Sequence, residues 1–147
     1  MITLYTIGFT KKSAERFFSL LRDNRVKQLV DVRISNNSQL AGFAKGKDLA
    51  FFTKEICHIP YLHIVDFAPT KELLDQWHKH EVDWEDYVKI YNDLLKSRNI
   101  LREYGIRQFD GACFLCSEET PENCHRRLLA EYLQRHSNEE TRIQHLL

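Results

Sequence analysis

The chain has 147 residues, 43% of them hydrophobic, and its 21 basic and 21 acidic side chains cancel to a formal charge of zero. That length suits one domain, residues 1–147, able to bury roughly 68–70% of its unfolded surface without disulfide or metal support. The balanced charge argues against a general nucleic-acid coat, whose affinity comes from neutralising phosphates.

In chain order, Ile2–Ile7 reads as a short strand ending at Gly8, and Ser13 caps a helix that gathers Phe17, Phe18, Leu20 and Leu21 on one face. Lys27–Arg33 reads as a second strand with Leu29, Val30 and Val32 at its apolar centre, the continuous pattern of a parallel sheet covered on both faces. Ile34–Lys47 is a long polar loop with two glycines, a length often tied to function. A short helix is expected over Asp48–Cys57, and a third strand over Pro60–Val65. Thr70 caps a helix to about Lys79, and Asp83 caps another to Arg98 with a stripe of Trp84, Tyr87, Val88, Tyr91 and Leu94 or Leu95. Gly111–Cys116 is the fourth strand. Thr120-Pro121 then has the form of a helix start, with Leu128, Leu129, Tyr132 and Leu133 inward and an end near His136. Thr141–Leu147 adds a last strand. The expected fold is α/β: one compact domain, a mainly parallel sheet of four or five strands with flanking helices, and no repeat or linker.

MITLYTIGF has no basic start ahead of a long apolar stretch, so no export signal is read. No run approaches the eighteen or so apolar residues needed to span a bilayer. Four cysteines are then expected as reduced thiols, and the expected location is cytoplasmic.

Ligands of open α/β sheets bind beyond the carboxyl ends of the strands. Three predicted strands end there in polar sets: Thr6-Ile7-Gly8, Asp31-Val32-Arg33 and Cys116-Ser117-Glu118. A parallel sheet brings all three to one edge. Asp31 and Arg33 share a side of their strand, either as a salt-bridged strand end or with Arg33 as a fork for a carboxylate or phosphate. Gly8 makes a turn or permits close backbone approach to a ligand. The segment "LCSEETPENCHRR" is the densest signal. Amides at the start of the following helix form an anion pocket, and the same field lowers a thiol's pKa. Cys116 or Cys124 beside His125 makes a nucleophile pair, with Arg126 on an anionic group. Glu118 or Glu119 serves as general base, or simply favours the helix N-terminus by its charge.

On paper Cys113, Cys116, Cys124 and His125 form a zinc set. Strand alternation points Cys113 away from Cys116, and Phe-Leu between them is poor turn chemistry, so no metal is expected and Cys113 is read as a small buried hydrophobe. A redox dithiol of Cys116 and Cys124 lacks the short thioredoxin-like spacing. His63 reads as a satisfied core-edge histidine, and Trp84, Tyr87 and Tyr91 as core.

Thr6-Ile7-Gly8, "LVDVR" at 29–33, "YLH" at 61–63, "DWxxY" at 83–87 and "LCxExxPxxCHR" at 115–126, in that order, resemble the domain-of-unknown-function 488 family across nearly the whole chain. The resemblance implies a compact α/β fold with Gly8, Asp31, Arg33, Cys116, Glu118, Cys124, His125 and Arg126 in a site, and no established reaction. The chain departs from the family at "ISNNSQ", 34–39, and at "DFAPT", 66–70, loops expected to shape specificity. The Asp-Val-Arg strand end is also similar to rhodanese-like domains, but Cys116 to Arg126 is too long for their Cys-x5-Arg loop.

The expected function is a small enzyme acting on an anionic substrate, phosphate- or nucleotide-containing, without a cofactor. Arg33 and Arg126 bind the anion, Cys116 or Cys124 is the nucleophile, and Glu118 or His125 the acid/base. The alternatives are a non-catalytic module binding nucleic acid or a partner through Arg126, Arg127, Lys45 and Lys47, and a metal or redox thiol site. Oligomeric state is left open.

Overall fold

The computed structural model describes residues 1–37 and 42–147; the middle of the Ile34–Lys47 loop and the end of "ISNNSQ" lie outside the described residues. Five strands form one sheet: β1 (Ile2–Gly8), β2 (Gln28–Asp31), β3 (Tyr61–His63), β4 (Ala112–Cys116) and β5 (Thr141–Leu146). They lie in the order β3-β2-β4-β1-β5, and every pairing is parallel.

Local chemistry starts the helices where the sequence places them. Ser13 caps α1 (Ala14–Asp23), accepting from the Arg16 amide, and Thr70 caps α3 (Lys71–His78), accepting from that of Leu73. Asp83 does the same for α4 (Trp84–Ser97) through the Asp86 amide. Each cap satisfies an amide that the helix itself leaves open. A one-turn helix, α5 (Ile100–Glu103), follows.

Four boundaries differ from the sequence reading. β2 stops at Asp31: the Val32 amide still donates to the Leu115 carbonyl of β4, but the Arg33 amide turns back to the Asp31 carboxylate. β3 is only three residues, its chain then tightening into a 3-10 turn at Val65–Phe67. The second helix, α2 (Gly46–Phe52), begins earlier than expected, and its end widens into a π turn over Thr53–Cys57. The largest difference is α6, which spans His125–His136 with Cys124 as its extended N-cap, rather than starting at Thr120-Pro121. The preceding loop is tied down instead of coiling. The Arg126 guanidinium donates to the Glu118 carbonyl, that of Arg127 to the Glu122 carbonyl, and the Thr10 amide to the Ser117 carbonyl.

Two apolar clusters cover the sheet. On one face Val30, Val32, Phe114 and Cys116 meet Tyr87, Tyr91 and Leu95 of α4 and Leu128, Leu129 and Leu133 of α6. On the other, Ile7, Leu29, Cys113 and Leu115 meet Phe17, Phe18 and Leu21 of α1 and Leu49 of α2. Cys113 and Cys116 therefore face opposite sides, as strand alternation requires.

This winding positions the site. β1 and β2 feed helices on one face, while β4, hydrogen-bonded between them, feeds α6 on the other. Chains that leave neighbouring strands toward opposite faces part at the carboxyl edge and open a crevice there. The three polar strand ends are side by side at that edge. Among the described residues no helix is long and apolar enough to cross a membrane.

Candidate functional site

A cavity of about 160 Å³ opens at the end of β4. Cys116, Ser117 and Glu118 form its floor and lip, Arg33 and Ile34 one wall, Asn123, Cys124 and His125 another, with Leu74, Trp77 and Tyr87 closing it from the α3–α4 side.

Asp31 and Arg33 stand together at the end of β2, and both are buried. Arg33 donates from Nε and Nη2 to the two Asp31 carboxylate oxygens at 2.9 and 2.7 Å, and from its amide to Oδ1 at 3.1 Å. Nη2 also reaches the Ala44 carbonyl at 2.7 Å, and the Tyr61 hydroxyl donates to Asp31 at 2.5 Å. The guanidinium lies 5.1 Å from the centroid of the Phe9 ring. These contacts use Nε and Nη2; Nη1 is buried with no hydrogen-bond partner among the described residues. The salt-bridged strand end is present: the carboxylate locks one edge of the fork, and Nη1 is left over.

The thiol cluster is assembled by β4 and the N-terminus of α6. Cys116 Sγ lies 3.7 Å from His125 Nδ1. His125 Nε2–H donates to the Val32 carbonyl at 2.8 Å. A carbonyl only accepts, so Nε2 carries the hydrogen and the neutral ring turns an acceptor Nδ1 toward the thiol. Arg126 is fully buried; Nη1 donates to the Glu118 carbonyl at 2.8 Å and to Cys124 Sγ at 3.4 Å. Its Nε and Nη2 have no partner among the described residues.

The protonation states follow. A hydrogen bond from Cys124 holds the Cys116 thiol well below its ordinary value, with the charges of His125 and Arg126 acting the same way against the cost of burial. Burial pushes the Cys124 thiol up, and the Cys116 charge beside it adds to that. Burial alone would lower His125, but the Cys116 charge and the Val32 hydrogen bond raise it overall. One proton shared by two sulfurs beside His125 makes Cys116 the more acidic thiol of the pair. Cys113, on the far face, is pushed up by burial.

Of the residues expected here, Arg33, Cys116, Glu118, Cys124 and His125 line the cavity, with Glu118 exposed at the rim. Gly8 does not line it. A Cβ at position 8 would stand 1.6 Å from the Glu118 carbonyl oxygen, so the glycine makes room for this chain's own loop. Asp31 does not line it either and is paired with Arg33. Arg126 supports the sulfurs from below, and Arg127 pairs with Glu131 and the Glu122 carbonyl, so neither presents an open basic patch. Tyr61 lies in the "YLH" motif and Tyr87 in "DWxxY"; the first gives no site signal there, the second reads as core, and Trp77 carries no sequence signal at all. His63 Nε2 lies 2.6 Å from the Arg33 carbonyl, outside the cavity lining.

The donor atoms of Cys116, Cys124 and His125 all lie within 4.8 Å of one another. Three such donors match the number in an open zinc centre, whereas Cys113 faces the opposite side of the sheet.

A model of the family described as "Domain of unknown function DUF488" matches residues 13–133, most of the chain. No curated protein and no solved structure matches it.

Proposed function

This chain belongs to the DUF488 family, and on that premise we propose that it is a small enzyme acting on an anionic, phosphate- or nucleotide-containing substrate at the β4 edge. The observation that carries the reading is that Arg33, Cys116, Cys124 and His125 line one cavity, so that a cation, two thiols and an imidazole border the same space. Asp31 holds the guanidinium so that binding need not order it.

Each remaining residue then has a part. Cys116 attacks as the thiolate, with His125 Nδ1 holding its proton and later returning it to the leaving group. Glu118, at the exposed rim, takes a proton from water in this reading. Arg126 is too deep for the substrate and instead supplies positive charge behind the sulfurs. Trp77 and Tyr87 give the substrate's apolar part a flat wall.

The test is alkylation of the folded protein by iodoacetamide across pH, with mass-spectrometric site assignment and metal content measured on the same sample, followed by a turnover screen against phosphate esters and nucleotides. Selective reaction of Cys116 at neutral pH in metal-free protein, slowed by an anion that loses its effect in Arg33→Met, supports the reading. An unreactive Cys116, or one equivalent of bound zinc, overturns it.

A further inference from the structure

Cys124 has no task in the single-nucleophile reading beyond donating a hydrogen bond, yet the fold spends two buried thiols on one cavity. Cys116 is 6% and Cys124 2% exposed, and both line the same space. Eight residues apart in sequence, they are brought together because β4 ends at one and α6 begins at the other. Cys124 is the helix N-cap, with extended backbone (φ −131°, ψ 137°) and a side chain that caps no helix amide, so its sulfur can move without breaking a helical turn. The other two cysteines are apart from this pair. Cys113 faces the opposite side of the sheet, and Cys57 donates to the Phe18 carbonyl.

We propose that Cys116 and Cys124 are a two-electron redox pair that reduces a small hydroperoxide. This rests on Cys116 as the nucleophile of the preceding reading and adds an activity to it. The Cys116 thiolate attacks the terminal peroxide oxygen; the S–O bond forms, the O–O bond breaks, and the departing oxygen takes the His125 proton to leave as an alcohol or water. Arg33, in the lining of the same cavity, adds positive charge near the negative charge that grows on that oxygen. Cys116 is then a sulfenic acid. Cys124 gives its proton to His125 and attacks the Cys116 sulfur; the S–S bond forms, the S–O bond breaks, and hydroxide leaves with that proton as water. In total two thiols lose two electrons and the peroxide gains them. An external dithiol restores the pair. The cavity, about 160 Å³, suits an oxidant of a few heavy atoms.

The experiment treats fully reduced protein with one equivalent of hydrogen peroxide, blocks remaining thiols with N-ethylmaleimide, and maps disulfides by non-reducing peptide mass spectrometry. Iodoacetamide reactivity of Cys116 is measured on the same preparation. The expected result is a fall from four free thiols to two, a Cys116–Cys124 disulfide, and full recovery with dithiothreitol. In Cys124→Ser the oxidation stops at a Cys116 sulfenate trapped by dimedone. Four remaining thiols, a disulfide through Cys57, or a Cys116 sulfinate beside a free Cys124 thiol overturns the redox pair. If Cys116 is still alkylated in such a case, the nucleophile reading survives; if it is inert to both reagents, both readings fall together.

Discussion

Replacing Asp31 with alanine isolates what the strand-end pair does. The Asp31 carboxylate is fully buried and accepts from the Arg33 amide, Nε and Nη2 and from the Tyr61 hydroxyl. Asp31→Ala strands a guanidinium whose side chain is only 7% exposed. Removing one partner of a buried ion pair costs about 3–5 kcal/mol, chiefly because the other charge stays behind unpaired. The Tyr61 hydroxyl loses its acceptor too, but Tyr61 is only partly buried and water replaces it. With a urea m-value near ~2 kcal/mol/M, the unfolding midpoint should fall by about 2 M. Trp77 and Trp84, packed on Tyr87 beside the cavity, report the transition by fluorescence. The double variant Asp31→Ala/Arg33→Met should unfold at higher urea than Asp31→Ala alone, since no charge is then stranded. A loss under about 1 kcal/mol for Asp31→Ala would refute the reasoning, because it would mean that Arg33 is solvated and that its free edge is no preformed anion receptor.

Three further outcomes are expected. Gly8→Ala should lower thermal stability and shift the 117–123 loop, seen as faster proteolysis there, since its Cβ meets the Glu118 carbonyl at 1.6 Å; an unchanged melting temperature contradicts the close approach. Phe114→Ala, in the central strand against Phe67 and Phe109, should cost about 3–5 kcal/mol by chemical denaturation. The pH dependence has a definite sign. The folded Cys116 thiol lies below its ordinary 9.0, so its contribution to stability is present above that value and is lost as pH falls through the folded pKa. Its alkylation profile should accordingly sit below that of a free thiol. Cys124→Ala and His125→Gln should each move the profile up, since both partners hold the charge.

Much of the architecture is local in origin and was therefore legible. Ser13, Thr70 and Asp83 cap the helices that the apolar spacing predicts, because a cap needs only an oxygen and an amide three residues on. Runs such as "LVDV" and "ACFLC" announce strands buried on both faces. Strand alternation alone separates Cys113 from Cys116, and the separation holds. The start of α6 escaped the same reading: Thr120-Pro121 has good cap chemistry, but carbonyls of its loop are held by Arg126 and Arg127 from within the helix they precede.

The sequence by itself determined the fold class, the parallel edge at which three polar strand ends meet, and the residue types gathered there. Periodicity, capping and strand composition act over a few residues, so they can be read from a line of letters. Only the tertiary structure decided the order β3-β2-β4-β1-β5, which sets Cys116 between Gly8 and Asp31. It also decided that Gly8 yields to Glu118, that Tyr61 shares Asp31 with Arg33, and that Arg126 lies beneath the sulfurs. Those assignments depend on distances between residues dozens of positions apart, which arise when both faces of the sheet are packed together and one edge of a buried guanidinium is left over.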